Sequence, residues 1–221
     1  MNGPLALVGG GEWREGCTFD RDLFAASDAE EVLVLPTAAA YEHPERAVET
    51  AELWFAGLGA KVRGLMVLAR PDAEQEANVA AIRDARFIYL SGGSPLHLRS
   101  VLKDSPAWDA LTQAWQGGAV LAGSSAGAMA LCDPMVDPRG GAFTLGLGLL
   151  AQVAIIPHHD TWSPEKAKRT IILAAKGVPV VAIDERTALI RSRDGAWSVD
   201  GVGSVVVFQD RHEAGLEALP T

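Results

Sequence analysis

Ala119-Val-Leu-Ala-Gly123-Ser124-Ser125-Ala126-Gly127-Ala128 carries an apolar run into a Gly-x-Ser-x-Gly turn and out again into small residues that suit a helix start. A buried strand, a tight turn and a helix N-terminus have this pattern. The same context describes a nucleophile elbow, a strained turn that exposes a side-chain oxygen at the end of a strand. Gly123 and Gly127 would let the backbone pack closely around Ser125. The helix end that follows favours negative charge developing nearby. A plain strand-to-helix turn or a phosphate cradle has the same composition, so a nucleophilic role for Ser125 depends on a base elsewhere in the chain.

Working outward from that turn, the strand pattern recurs on its N-terminal side. Leu5-Ala-Leu-Val8 stops at Gly9-Gly10-Gly11, and Glu31 to Pro36, Lys61 to Met66 and Arg86 to Leu90 are further short apolar runs. Helical spacing falls between them. Residues 44–58 set Ala47, Ala51, Trp54, Phe55 and Leu58 on one stripe, and residues 73–83 follow Asp72 as N-cap with Gln75 three positions on. Pro95 to Leu102 and Pro106 to Trp115 read as two more helices. Alternating strands and helices imply a parallel sheet with right-handed crossovers. After residue 160 the pattern changes. Ser163-Pro164 opens a helix through Ala175. Strand-like runs follow at Val178–Ile183, Ala188–Arg191, Ala196–Val199 and Ser204–Phe208, with Asp194-Gly195 as a hairpin turn. The expected fold is therefore α/β in three αβα layers, a mostly parallel sheet with antiparallel strands added at its C-terminal edge. No linker or repeat interrupts residues 1–221, so a single domain is expected.

Composition narrows the function. The 221 residues carry 19 Lys and Arg against 28 Asp and Glu, a net charge of −9, and no basic run, which argues against nucleic acid as partner. No apolar stretch approaches a membrane span, and no basic leader precedes the apolar residues at Leu5, so a cytoplasmic protein is expected. Two cysteines, Cys17 and Cys132, are too few for a disulfide scaffold or a four-thiolate zinc site.

A base for Ser125 is available. Val153-Ala-Ile-Ile156 ends in Pro157-His158-His159-Asp160, and functional groups gather at the carboxyl ends of parallel strands. Neighbouring residues on an extended segment point opposite ways, so one histidine at most faces the serine. A His-His pair could also ligate a metal, but no cysteine or carboxylate cluster at ligand spacing accompanies it; neither metal nor organic cofactor is expected. The carboxylate that would orient the imidazole could be Asp184 or Glu185, at the end of Val180–Ile183, or Asp133 or Asp137 shortly after the serine helix. A second glycine turn, Ser91-Gly92-Gly93-Ser94-Pro95, could aim backbone N–H groups into the same cleft, an oxyanion hole shared with Ala126. The turn at Gly9-Gly10-Gly11 reads as close packing. Two functional classes remain, a serine hydrolase and a non-catalytic binding domain on the same scaffold.

Taken together, these segments resemble the S51 serine peptidases, the group containing cyanophycinase and aspartyl dipeptidase. Leu7-Val-Gly-Gly-Gly-Glu12, Leu33-Val-Leu-Pro-Thr37, Phe87-Ile-Tyr-Leu-Ser-Gly-Gly93, Gly123-Ser-Ser-Ala-Gly-Ala128 and Gly146-Leu-Gly-Leu-Leu150 leading to Pro157-His158 carry the likeness in family order. Ala182-Ile-Asp-Glu-Arg-Thr-Ala188 is similar to the cyanophycinase branch in particular. The resemblance implies a fold related to class I glutamine amidotransferases, with serine in place of their cysteine. It implies Ser125 as nucleophile, His158 as base and Glu185 as acid, spaced by 158 − 125 = 33 and 185 − 158 = 27 residues. It also implies Gly92-Gly93 as the oxyanion loop; the dipeptidase branch would place the acid at Asp137 or Asp133 instead. The implied substrate is a small peptide or isopeptide, Asp-containing or β-aspartyl, and a homodimer is compatible with this reading.

Overall fold

In the computed structural model, which describes residues 1–220, every short apolar segment N-terminal to Ser125 becomes a strand of one sheet. These are β1 (Leu5–Val8), β2 (Glu31–Leu35), β3 (Lys61–Gly64), β4 (Phe87–Leu90) and β5 (Val120–Ser124). They lie parallel in the order β1-β5-β4-β2-β3. Alternate side chains leave opposite faces. Leu5, Leu7, Ile88, Leu90 and Leu121 enter one buried core; Ala6, Val8, Phe87, Tyr89, Val120 and Ala122 enter the other.

Helices α1 (Phe19–Ser27) and α2 (Pro44–Ala56) cover the second core with Phe19, Leu23, Val48, Ala51 and Phe55. The first core receives α3 (Glu76–Asp84), α4 (Pro95–Leu102), α5 (Pro106–Gln116) and α6 (Ala126–Leu131). Serine caps open two of them. The hydroxyls of Ser94 and Ser105 accept the N–H groups of His97 and Trp108 at 3.3 and 3.1 Å. A proline follows each at the first helical position, where no N–H is needed. Ser163 opens α7 (Pro164–Leu173) in the same way. Asp72 departs from expectation. It does not cap α3 but accepts the N–H groups of Leu68 and Ala69 and so caps a 3₁₀ turn over Arg70–Glu74. The helix α1 has no counterpart in the sequence reading. Of its nine residues only Phe19 and Leu23, one turn apart, are buried apolar side chains, with Phe24 partly buried beside them and three charges between.

The C-terminal strands also divide differently. Strands β8 (Thr187–Arg191) and β9 (Trp197–Gly201) add antiparallel to β1 at the sheet edge, as expected. However, β6 (Ala154–Ile156), β7 (Val180–Ile183), β10 (Val205–Gln209) and β11 (His212–Ala214) form a second sheet in the order β6-β7-β10-β11. Ile155, Val181 and Ala182 of that sheet pack into the first core. Burial on both faces explains why β6 and β7 read as continuous apolar runs, and such a run does not reveal which sheet it joins.

Candidate active site

Ser125 stands between β5 and α6 with φ 50° and ψ −106°. This is a sparsely populated backbone region for a residue with a Cβ, and such strain persists only where the surroundings impose it. The flanking glycines show what imposes it. A Cβ on Gly123 would lie 2.7 Å from the Gly127 carbonyl carbon, and one on Gly127 would lie 2.6 Å from the Leu90 carbonyl oxygen. Only glycine lets α6 start this close to β4 and β5. The Ser125 N–H donates to the Val8 carbonyl at 2.9 Å, which ties the turn to β1.

The second sheet brings the partners. The Ser125 hydroxyl lies 2.7 Å from His158 Nε2, and His158 Nδ1 lies 2.8 Å from Glu185 Oε1. Parallel pairing of β6 with β7 sets the two strand ends side by side. His158 follows β6 and Glu185 follows β7. Both His158 and Glu185 are about a third exposed, at 31% each. His159 turns the other way, its Nδ1 3.4 Å from Asp184 Oδ1, and Asp184 also accepts the Ser204 N–H and hydroxyl. The structure thus separates 158 from 159 and 184 from 185, but not by strand alternation. His158 has φ 51°, so the segment is not extended there.

The Gly9–Gly11 turn holds this assembly. The Gly9 carbonyl accepts the His158 N–H and the Gly10 carbonyl accepts the Arg186 N–H, each at 2.7 Å. Gly10, at φ 114°, lies directly under the imidazole; a Cβ there would sit 2.1 Å from His158 Cε1. Asp160 fixes the acid's backbone by accepting the Glu185 N–H at 3.0 Å.

Gly11, Glu12, Trp13, Arg14, Gly92, Gly93, Ser125, His158 and Glu185 line a cleft of ≈ 320 Å³. That is the small end of the range for ligand sites. Of the three expected oxyanion donors, Gly92 is engaged elsewhere. Its N–H donates to Glu12 Oε1 at 3.0 Å. The N–H groups of Gly93 and Ala126 have no protein acceptor among the described residues. Glu12 also accepts the Ser124 hydroxyl on Oε2 at 2.7 Å, so its carboxylate joins the loop after β4 to the elbow after β5. Sequence reasoning assigned Glu12 no role. The available signal was its position, an acid at the end of a glycine turn that follows a buried strand.

Asp137 and Asp133 lie apart from this cleft. Asp137 forms a bidentate pair with Arg139, at 2.9 and 2.7 Å, which holds its carboxyl down at about 2. Asp133 accepts the Gly146 N–H at 3.4 Å.

Beneath the cleft lies a buried polar group of side chains. Asp20 is fully buried and accepts the Trp54 indole N–H at 2.9 Å on Oδ2, while Oδ1 has no partner. Burial raises its pKa to about 8, the Trp54 hydrogen bond opposes this, and the Glu12 charge adds to it. Cys17 is pushed up to about 11 by burial, and the Tyr89 phenol well above its ordinary value. Trp13, at φ 59°, stacks edge-on against Tyr89 with ring centroids 5.1 Å apart and forms the floor between this group and the cleft. Among the described residues no three His, Cys, Asp or Glu side chains gather as metal ligands. Among them, too, no helix is long and apolar enough to cross a membrane.

The chain is similar to proteins already known. The model of peptidase family S51 matches residues 5–199. Cyanophycinase from Synechococcus elongatus is 32% identical over 157 residues, 66% of this chain and 49% of that protein. Cyanophycinase from Nostoc sp. is 30% identical over 164 residues, 69% of this chain and 55% of that protein. Peptidase E from Citrobacter koseri is 28% identical over 178 residues, covering 75% and 72%. The chain thus spans about half the length of the cyanophycinases it matches. The crystal structure of a peptidase from an acI-B1 Actinobacterium superimposes with a TM-score of 0.86 at 31% identity, over 97% of this chain and 93% of that one.

Proposed function

The chain belongs to peptidase family S51, and from that premise we propose that it is a serine-type hydrolase cleaving a small peptide or isopeptide bond with Ser125, His158 and Glu185. One observation carries the reading: the continuous relay from Ser125 Oγ to His158 Nε2 at 2.7 Å and from Nδ1 to Glu185 Oε1 at 2.8 Å. In this reading His158 accepts the hydroxyl proton as Ser125 Oγ attacks the carbonyl carbon. Glu185 holds the tautomer and stabilises the imidazolium. The N–H groups of Gly93 and Ala126 receive the oxyanion, with Gly92 left out because Glu12 holds it. When the tetrahedral intermediate collapses, the C–N bond breaks and His158 returns the proton to the leaving amine. Water, deprotonated by the same imidazole, then releases the acid from the acyl-enzyme.

The substrate class, Asp-containing or β-aspartyl, follows the likeness to proteins named cyanophycinase and peptidase E, and the small cleft supports a short substrate. Two buried free thiols, Cys17 and Cys132, fit the reducing cytoplasm to which we assign the protein. The test is a fluorophosphonate probe followed by mass spectrometry. Ser125 should be labelled in the wild type, and Ser125→Ala should take no label. Labelling that persists in Ser125→Ala, or a wild type that never reacts, would overturn the assignment.

A further inference from the structure

We propose that Glu12 receives the free α-ammonium group of the substrate, so that cleavage occurs next to a free amino end. The inference rests on the hydrolase reading above and specifies what its cleft binds.

The carboxylate is fixed in place. Oε1 accepts the Gly92 N–H at 3.0 Å and Oε2 accepts the Ser124 hydroxyl at 2.7 Å, which leaves each oxygen a further lone pair on a residue that lines the cleft. Both bonds need only an acceptor or a rotatable partner, and a neutral glutamine would satisfy them. The negative charge is therefore unexplained by the contacts within the protein. No Lys, Arg or His nitrogen of the described residues lies within 4.0 Å of it; the ion pairs among those residues are all elsewhere. Arg14 lines the same cleft but is exposed and outside that distance.

An unpaired carboxylate beside a developing oxyanion opposes it by like-charge repulsion. A cation delivered by the substrate removes this conflict. The reach is suitable. A point one Cβ-length off Gly92 lies 3.2 Å from Glu12 Oε1 and 3.5 Å from Ser125 Cβ, so those two atoms are at most 3.2 + 3.5 = 6.7 Å apart. A reacting carbonyl carbon sits about 3–3.5 Å from the nucleophile. An α-amino nitrogen is two bonds beyond that carbon, about 2.5 Å, and its hydrogen bond to a carboxylate adds about 2.8 Å. Bent around Gly92, this chain of contacts spans the gap. A β-aspartyl group, one bond longer, spans it as well. A preceding peptide bond in place of the ammonium would offer an N–H but no positive charge, leaving the Glu12 carboxylate without a counter-charge.

The experiment compares wild type, Glu12→Gln and Glu12→Ala on Asp p-nitroanilide, β-Asp p-nitroanilide and the N-acetyl form of each. Wild type should favour the free-amino form by about 10- to 100-fold in kcat/KM, the worth of a hydrogen bond to a charged group. Glu12→Gln, whose amide oxygen can still accept the Gly92 N–H and whose NH2 can donate to the rotatable Ser124 hydroxyl, should bring that ratio close to one, chiefly through KM. Glu12→Ala, which loses both, should in addition lower kcat. A wild-type enzyme that cleaves acetylated and free substrates equally, or a Glu12→Gln enzyme with the wild-type ratio, overturns the inference. Fluorophosphonate labelling of the same samples separates the two readings. Normal Ser125 labelling with an unchanged ratio refutes only the role of Glu12, whereas absence of labelling and turnover in the wild type refutes the hydrolase reading and this inference with it.

Discussion

Replacing Gly10 by alanine is expected to disable the site from beneath the histidine. The new Cβ would fall 2.1 Å from His158 Cε1, 2.6 Å from Nδ1 and 2.8 Å from Nε2. Carbon atoms in contact are about 3.5–4 Å apart, so the imidazole must retreat by roughly 1.5 Å. Its hydrogen bonds to Ser125 and Glu185, at 2.7 and 2.8 Å, do not survive such a shift, since a contact near 3.6 Å no longer counts as one. A misplacement of about 1 Å in a reacting group costs on the order of a hundredfold, and full loss of a triad base about a millionfold. The expected loss in kcat/KM lies between these limits. Gly10 also holds φ 114°, which an alanine adopts at a cost of about 1–3 kcal/mol, so some fall in melting temperature should accompany the loss. Gly59→Ala is the control. It sits at φ 80° with nothing within 4 Å of the place a Cβ would take, so it carries a backbone penalty without touching the site and should keep its turnover. Steady-state hydrolysis read beside a thermal melt decides the matter. A folded Gly10→Ala protein with activity within about threefold of wild type would refute the account of Gly10 as the seat of the imidazole.

Three further outcomes follow from the same geometry. Glu185→Gln should lower kcat by up to about ten-thousandfold, the usual cost of losing the orienting acid, while Asp137→Asn, which only breaks the pair with Arg139, should stay near wild type; the reverse order in a turnover assay would move the acid to Asp137. His159→Ala should change kcat by no more than a few-fold, because His159 faces Asp184 rather than Ser125; a collapse of kcat in a folded variant would contradict that. Asp20 binds its proton more tightly in the folded chain, at about 8, than in the unfolded one, at about 3.9. Its contribution to stability is therefore full below pH 4 and lost as the pH rises towards 8. The Asp20→Asn variant keeps an acceptor for the Trp54 indole but does not titrate, so its urea midpoints between pH 5 and 8 should vary less than those of wild type; an unchanged slope would place the pH dependence elsewhere.

Most of the parallel half of the fold was legible because β1, β2, β4 and β5 are short apolar runs stopped within two residues by glycine or proline or ending in a glycine turn, and helical stripes separate most of them; only α1, between β1 and β2, left no such trace. The serine turn was legible because close helix–strand contact at Gly123 and Gly127 leaves no alternative residue. Pairing partners in the C-terminal third were not. Val180–Ile183 and Ala188–Ile190 are both short apolar runs, and only tertiary contact assigns one to the second sheet and the other to the edge of β1. The structure sets His158 against Ser125 and His159 against Asp184, but strand alternation does not account for the difference, since His158 has a left-handed backbone. Glu12 stayed invisible as a functional residue because its partners, Gly92 and Ser124, lie 80 and 112 positions away. No local pattern encodes such contacts.

The position of β1 bears on how the chain comes off the ribosome. Its four residues are wholly apolar and wholly buried, and its two edges are covered by β5 at residues 120–124 and by β8 at residues 187–191. The second neighbour is made 191 − 8 = 183 residues later. At the roughly 5–20 residues per second of translation that is about 10–40 s. Throughout that interval a sticky strand has an open edge, the condition under which nascent chains associate wrongly. Glu185 is made only just before β8, so the relay to Ser125 and the last protection of β1 arrive almost together. The edge of β1 therefore stays open for the whole period before Ser125, His158 and Glu185 can come together.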